Sequence, residues 1–252
     1  MARVRLIAIS GSTGLIGKTF IEKLSADLKI IHIVNSSEIE IHGIEKEIES
    51  ASQKGAEYFL NLGWPASSYG ASYQNSLLNF DALEKTLAFR RACEIFHIDF
   101  IGIGSVVDKT PLPKNLYSLT KYVAREIFSD AIKNRKMTWL RPYYVFNLAN
   151  WPYYLHNTEN KKVVINNDAP RDFIHVNDVT EAIESVIRLG IKGEIDLGSQ
   201  LLKRPSEICK IMKKENCVPH NNSAENSFLI SRQDLTLSQF WKPKHTLQFF
   251  NE

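Results

Sequence analysis

Arg3-Val4-Arg5-Leu6-Ile7-Ala8-Ile9-Ser10-Gly11-Ser12-Thr13-Gly14-Leu15-Ile16-Gly17 decides how this chain is read. Arg3 to Ile9 is an apolar, β-prone run, and the stretch from Leu15 to about Asp27 is helical in pattern. Between them lies a turn with three glycines at GxxGxxG spacing. One glycine can make the tight turn, one can let backbone approach a pyrophosphate, and one can let helix and strand pack closely. The helix N-terminus would add unpaired N–H groups and a partial positive charge. A glycine-rich turn with no ligand is the plain alternative. The strand–turn–helix setting favours a dinucleotide.

Working outward, Leu28 to Val34 reads as a second strand. Between Ser36 and Gly55 the pattern blurs, and Ile39, Ile41, Ile44 and Ile48 suit a short strand followed by a helix. Glu57 to Leu62 is a strand ending at Gly63-Trp64-Pro65, and a long helix follows from about Tyr73 to His97. Phe100 to Gly104 is the fifth strand, Leu116 to Lys133 a helix, and Met137 to Tyr144 a further strand. Strands alternating with helices imply parallel units with right-handed crossovers. The expected class is α/β: a doubly wound parallel sheet of the Rossmann kind over residues 1–146. Residues 147–252 lose the rhythm, keeping helical pattern only near Val176–Leu189 and Pro205–Lys214. They are expected to form a small C-terminal substrate-binding lobe, with segments returning to the first domain.

Composition sets the outer bounds. The 252 residues are 44% hydrophobic and 23% charged, as in an ordinary globule. No run approaches the ~18 apolar residues of a membrane helix, and the N-terminus lacks a signal-peptide pattern. A net charge of +3 with no basic, aromatic-interleaved run argues against nucleic acid. Cys93, Cys209 and Cys217 are too few and scattered for a disulfide framework, so a cytoplasmic location is expected. Cys217 and His220 have ligand-like spacing but no second pair, and no metal is expected.

Two further features carry chemistry. An NAD site wants a carboxylate after the second strand to accept the ribose 2′-hydroxyl. Here the sequence is Val34-Asn35-Ser36-Ser37, with no carboxylate, so NADP is expected ahead of NAD. Lys18 is the nearest cation to the glycine turn along the chain. Tyr117 and Lys121 stand four apart on a helix and share a face, while Ser105 lies just past the fifth strand. A nearby ammonium would lower the tyrosine pKa, letting the phenol exchange a proton with a carbonyl or hydroxyl. An ordinary surface tyrosine and lysine are the alternative.

Taken together, these motifs resemble the extended short-chain dehydrogenase/reductase family of nucleotide-sugar epimerases, dehydratases and ketoreductases. Arg141-Pro142, the segment Arg171 to Val179, Gly193 to Ser199 and Phe240-Trp241-Lys242-Pro243 resemble further family segments in the same order. The resemblance implies cofactor contacts from Gly11 through Gly17, Asn35, Ser36, Leu62, Gly63, Trp64, Tyr117, Lys121 and Pro142. It implies catalysis by Ser105, Tyr117 and Lys121. Substrate contacts would come from Asn79, Ser105, Tyr144 and Arg171, with Arg171 on the diphosphate. A salt bridge from Arg171 to Asp172 or Asp178 is the alternative. Asp178 and His175 are read as structural, a helix cap and a packed ring.

The chain also departs from the family. Ser105 is followed by Val106-Val107-Asp108 rather than an Asp-Glu pair, which demotes dehydration. The expected function is NAD(P)-dependent reduction of a keto group on a nucleotide-activated sugar. An epimerase of the same family is the alternative, and a non-catalytic NADP-binding sensor or scaffold is the alternative of another class. The resemblance further implies a homodimer through the helices near Tyr73–His97 and Leu116–Lys133, with Leu83, Leu87, Tyr122 and Ile127 as surplus apolar residues.

Overall fold

The computed structural model describes residues 3–64, 74–109, 113–147, 155–157, 163–165, 168–211, 217–219 and 237–251. Six parallel strands form the main sheet: β1 (Arg5–Ser10), β2 (Leu28–Val34), β3 (Tyr58–Asn61), β4 (Asp99–Ile103), β5 (Thr138–Pro142) and β10 (Gly193–Leu197). Their order is β2-β1-β3-β4-β5-β10. The chain leaves β1 toward one side and returns to β3 on the other. Their carboxyl ends therefore mark the crevice where ligands of open α/β sheets bind.

Alternation along each strand splits the core into two layers. Ile7, Ile9, Tyr58, Leu60, Ile101 and Leu140 face one side, where they meet Phe20 of α1 (Leu15–Glu22) and Ile183 and Ile187 of α6 (Val176–Leu189). Ala8, Phe59, Phe100 and Trp139 face the other. That second layer is closed by α2 (Ile41–Gln53), α3 (Leu78–Ile95) and α4 (Leu116–Ile127), which contribute Ile44, Ile48, Phe89, Cys93 and Ala124. Phe59 packs between Phe89 and Phe100, with ring centroids 4.8 and 6.2 Å away.

Several elements differ from the sequence reading. Among the described residues, no strand forms between β2 and α2, so β2 is the sheet's edge. Ile41, Ile44 and Ile48 follow a helical period, and Ile39 packs against the same layer from the preceding turn. The stretch from Leu116 to Lys133 is two helices, α4 and α5 (Ser129–Lys133), joined at buried Phe128. The strand expected to run through Tyr144 stops at Pro142. Tyr144–Phe146 is instead β6, in a three-stranded sheet with β9 (Arg171–His175) and β11 (Leu202–Lys203), while β7 (Leu155–Asn157), β8 (Val163–Ile165) and β12 (Cys217–Pro219) form a third sheet.

The second half of the chain both builds that small sheet and contributes to the large one. β10 pairs with β5, placing Asp196 beside Arg141. The C-terminal segment returns too. Asp178 accepts hydrogen bonds from the His245 and Thr246 backbone N–H groups and the Thr246 hydroxyl, and Trp241 donates to the Asp178 carbonyl. Asp178 thus holds the start of α8 (Lys244–Asn251), the helix that follows α7 (Pro205–Ile211), while the cap of α6 is His175, whose Nδ1 accepts from Asn177 N–H. Burial keeps the His175 pKa below its ordinary value, which leaves the ring nitrogen available as an acceptor.

Candidate active site

The glycine turn leaves β1 with Gly11 at φ +72°, a left-handed backbone that favours glycine. A Cβ on Gly11 would meet the Leu62 carbonyl carbon at 2.5 Å, and one on Gly17 would meet Gly11 O at 2.2 Å. Both glycines are therefore required by the chain's own packing. Gly14 is different: a Cβ there would meet only Gly11 O, at an ordinary 3.5 Å. It is exposed at the N-cap of α1, and no side chain caps that helix. The turn thus presents exposed backbone and uncapped N–H groups, which fits a bound pyrophosphate. Leu62, Gly63 and Trp64 follow β3 on the neighbouring side of the crevice, and Gly63 N–H donates to Ser10 Oγ.

Ser105, Tyr117 and Lys121 come together at the carboxyl end of β4. Lys121 Nζ donates to the Ile103 carbonyl at 2.8 Å, and the Ser105 hydroxyl is hydrogen-bonded to the Tyr117 phenol. The helix carrying Tyr117 and Lys121 starts at a capping box, in which Asn115 Oδ1 accepts from Ser118 N–H and Ser118 Oγ accepts from Asn115 N–H. That cap fixes where the first turn begins, and so where Tyr117 points.

The electrostatics correct one expectation. Tyr117 is not drawn toward the phenolate: burial raises its pKa, with the Ser105 hydrogen bond pulling down and Asp108 pushing further up. Lys121 absorbs the opposite effect, as burial carries it from 10.5 to about 7 against the pull of Asp108. The buried site stabilises the neutral forms of both groups.

Trp64 and Asn79 were expected at the site from the resemblance, whereas Asp108 and the network behind it were not legible as site residues in the sequence. Trp64 lies against the lysine, with Lys121 Nζ 3.5 Å from the indole centroid, and its ring meets Tyr117 edge-on at 6.5 Å. Its Nε1–H donates to Asn79 Oδ1 at 2.9 Å, so Asn79 is buried behind the indole. Asp108, fully buried, accepts from Ser105 N–H (3.0 Å), Trp139 Nε1–H (3.0 Å) and Arg141 Nε–H (2.5 Å). Arg141 also pairs with Asp196 and Glu194, and Asp196 accepts from Lys109 and the Tyr143 hydroxyl. This buried network holds the Ser105 loop from behind. Its only advance signal was a carboxylate three residues after Ser105.

The remaining expected residues fall elsewhere. Arg171 and Tyr144 meet in the small sheet, the guanidinium carbon 5.2 Å from the tyrosine ring centroid. Asp172, one of the two partners considered for Arg171, accepts from Ser199 N–H, Ser199 Oγ and Gln200 N–H and so holds the turn after β10. Pro142 closes β5. Lys18 points to solvent and pairs with Glu22 at 3.9 Å. Leu83 and Leu87 pack into the chain's own core, which removes two of the four residues read as surplus, while Ile127 is 55% exposed. His220, Trp151, Pro65, Tyr73 and most of the 147–170 segment lie outside the described residues. Asp178, Glu181 and His245 place ligand atoms within 4.8 Å of one another, but Asp178 is already taken up by the C-terminal clasp. Among the described residues, no helix is long and apolar enough to cross a membrane.

This geometry is that of a Rossmann-type α/β protein with a Ser–Tyr–Lys site, the architecture implied by the short-chain dehydrogenase/reductase resemblance. No family model and no curated protein sequence matches the chain. Solved structures do. The dTDP-4-dehydrorhamnose reductase of Bacillus anthracis, in complex with NADP, aligns at TM-score 0.74 and 14% identity over 100% of this chain and 99% of its own. The UDP-glucose 4-epimerase of Thermus thermophilus, with NAD, aligns at 0.71 and 15% over 95% and 94%. The UDP-N-acetylglucosamine 4-epimerase of Methanobrevibacter ruminantium aligns at 0.68 and 16% over 98% and 96%. At such identities the likeness is one of fold.

Proposed function

We propose that the protein is an NAD(P)H-dependent reductase of a keto group on a nucleotide-activated sugar. The observation that carries this reading is the convergence of Ser105, Tyr117 and Lys121 at the carboxyl edge of the same sheet that carries the glycine turn. A nicotinamide held at this edge would supply the hydride for a carbonyl carbon. The chain's own residues do the rest. Ser105 orients the carbonyl oxygen, and Tyr117 donates its proton to that oxygen as negative charge develops. Lys121 holds the nicotinamide ribose. Burial keeps the Tyr117 phenol protonated, the form that donates in reduction. Trp64 and Asn79 close the site beside Lys121 and limit water.

Gly11 through Gly17 would hold the pyrophosphate, and Asn35 and Ser36 the adenosine ribose, with NADP favoured because no carboxylate stands there. The fold's likeness to solved nucleotide-sugar epimerases and reductases supports the substrate class. Arg171, with its planar fork, would take the diphosphate. A homodimer through α3 and α4 and a cytoplasmic location complete the proposal. The test is incubation of purified protein with NADPH and a panel of 4-keto-6-deoxy sugar nucleotides. NADPH oxidation matched mole for mole by reduced sugar supports the reading. Sugar conversion with no net oxidation of dinucleotide would replace it with epimerisation.

A further inference from the structure

The turn after β2 lacks a carboxylate, and the structure supplies something else there. Lys85, halfway along α3 and 49 residues away in sequence, reaches over so that Nζ donates to the Ser36 carbonyl at 2.9 Å. Ser36 is held against the crevice: a Cβ added at Gly63 would meet Ser36 Oγ at 2.3 Å and Ser10 Oγ at 3.2 Å. The loop is therefore seated on the carboxyl ends of β1 and β3, with the lysine ammonium bonded to its backbone.

The loop carries donors and a cation but no carboxylate. Asn35 Oδ1 already accepts from Ser37 Oγ at 2.7 Å and from Ser37 N–H at 3.4 Å. What Asn35 has left to offer is its exposed amide N–H2, a donor. The Lys85 ammonium has three N–H groups, of which the Ser36 carbonyl takes one. Glu38 and Glu40, the next carboxylates along the chain, are at exposed positions beyond the turn. A ribose 2′-hydroxyl bound by NAD-type sites is held by a carboxylate, and the turn offers only the weaker acceptors of the Ser36 and Ser37 hydroxyls. A phosphomonoester needs donors and positive charge, and both are present.

We infer that Lys85, together with the Asn35 amide, forms the subsite for a ribose 2′-phosphate and makes this chain selective for NADP(H). The inference rests on the dinucleotide reading above and adds to it a residue that no motif assigns. Lys85 can act because β2 is the sheet's edge: a chain that goes straight from the turn into α2 brings the turn within reach of α3, which packs beside α2. Lys18, the cation nearest the glycine turn in sequence, is not used, since its side chain is 69% exposed and turned to Glu22.

The experiment is a binding titration, independent of any sugar substrate. Wild type, Lys85→Met and Lys85→Arg are titrated with NADPH, NADH and adenosine 2′,5′-bisphosphate, followed by calorimetry at low and moderate salt. Wild type should bind NADPH at least tenfold tighter than NADH. Lys85→Met should weaken NADPH and adenosine 2′,5′-bisphosphate by about tenfold to a hundredfold, the worth of a charged hydrogen bond, and leave NADH unchanged. Lys85→Arg should retain most of the preference. The salt dependence of NADPH binding should fall in the Met variant. Equal wild-type affinity for NADPH and NADH would overturn the inference while leaving the dinucleotide reading standing. So would a Met variant that keeps the NADPH preference, or one that loses both cofactors equally, since that marks Lys85 as a loop support. No binding of either dinucleotide to wild type would overturn both.

Discussion

Lys121→Met tests the electrostatics of the site through stability alone. The ammonium is 3% exposed and its pKa falls from 10.5 to about 7 because burial disfavours the charged form. That gap is worth at most roughly 5 kcal/mol, at about 1.4 kcal/mol per pH unit. Between pH 7 and 10.5 the unfolded chain holds a proton that the folded chain has released, so wild-type stability rises with pH across that window. Below pH 7 both states are protonated and the full penalty applies. The methionine variant carries no such penalty. Its loss of the hydrogen bond to the Ile103 carbonyl adds an offset that does not vary with pH. Relative to the variant, wild type should therefore gain about 2 kcal/mol between pH 7 and pH 9. Urea unfolding of both proteins at half-unit pH steps measures this, because groups common to the pair cancel in the difference. A difference that stays flat from pH 7 to 9 would refute the claim that this lysine is buried as a costly cation.

The glycines should separate into two kinds. Gly17→Ala places a methyl 2.2 Å from Gly11 O and should destabilise the fold by at least about 3 kcal/mol, seen as a lower urea midpoint. Gly14→Ala meets nothing closer than 3.5 Å and should unfold like wild type, yet bind dinucleotide at least tenfold more weakly in a fluorescence titration, because the methyl stands where the pyrophosphate is proposed to lie. Asp108→Ala removes the carboxylate that joins Ser105 N–H to the Arg141 guanidinium. Breaking a buried pair from one side costs about 3–5 kcal/mol, and urea unfolding should show a loss of that size.

What could be read in advance was what is local in sequence. The glycine turn is legible because strand, turn and helix follow one another within fifteen residues or so, and Tyr117 and Lys121 because one helical turn relates them. The β2-to-α2 region misled because Ile39 and Ile41 alternate as a strand would, whereas Ile41, Ile44 and Ile48 serve the helix that forms. The Asp108–Arg141–Asp196 network was beyond reach: its members lie on the short turn after β4, on β5 and on β10, which only the pairing of β5 with both β4 and β10 brings together. Lys85 on Ser36 and Trp64 on Lys121 are likewise meetings of distant segments. The direction of the Tyr117 shift was missed for the same reason. A lysine four residues away is visible in a sequence, but the burial that outweighs it is not.

Tyr117→Phe tests the central claim most directly. The substitution keeps the ring that meets Trp64 edge-on and removes only the hydroxyl bonded to Ser105. Single-turnover reactions with NADPH carrying deuterium at both C4 positions and a 4-keto sugar nucleotide, read by mass spectrometry, follow transfer to carbon. Wild type should give a product one mass unit heavier, consistent with direct hydride transfer. The Phe variant should give it about 10²–10⁴ times more slowly, with NADPH affinity unchanged. An undiminished rate in the Phe variant would contradict Tyr117 as the proton donor, and an unlabelled product from wild type would contradict reduction itself.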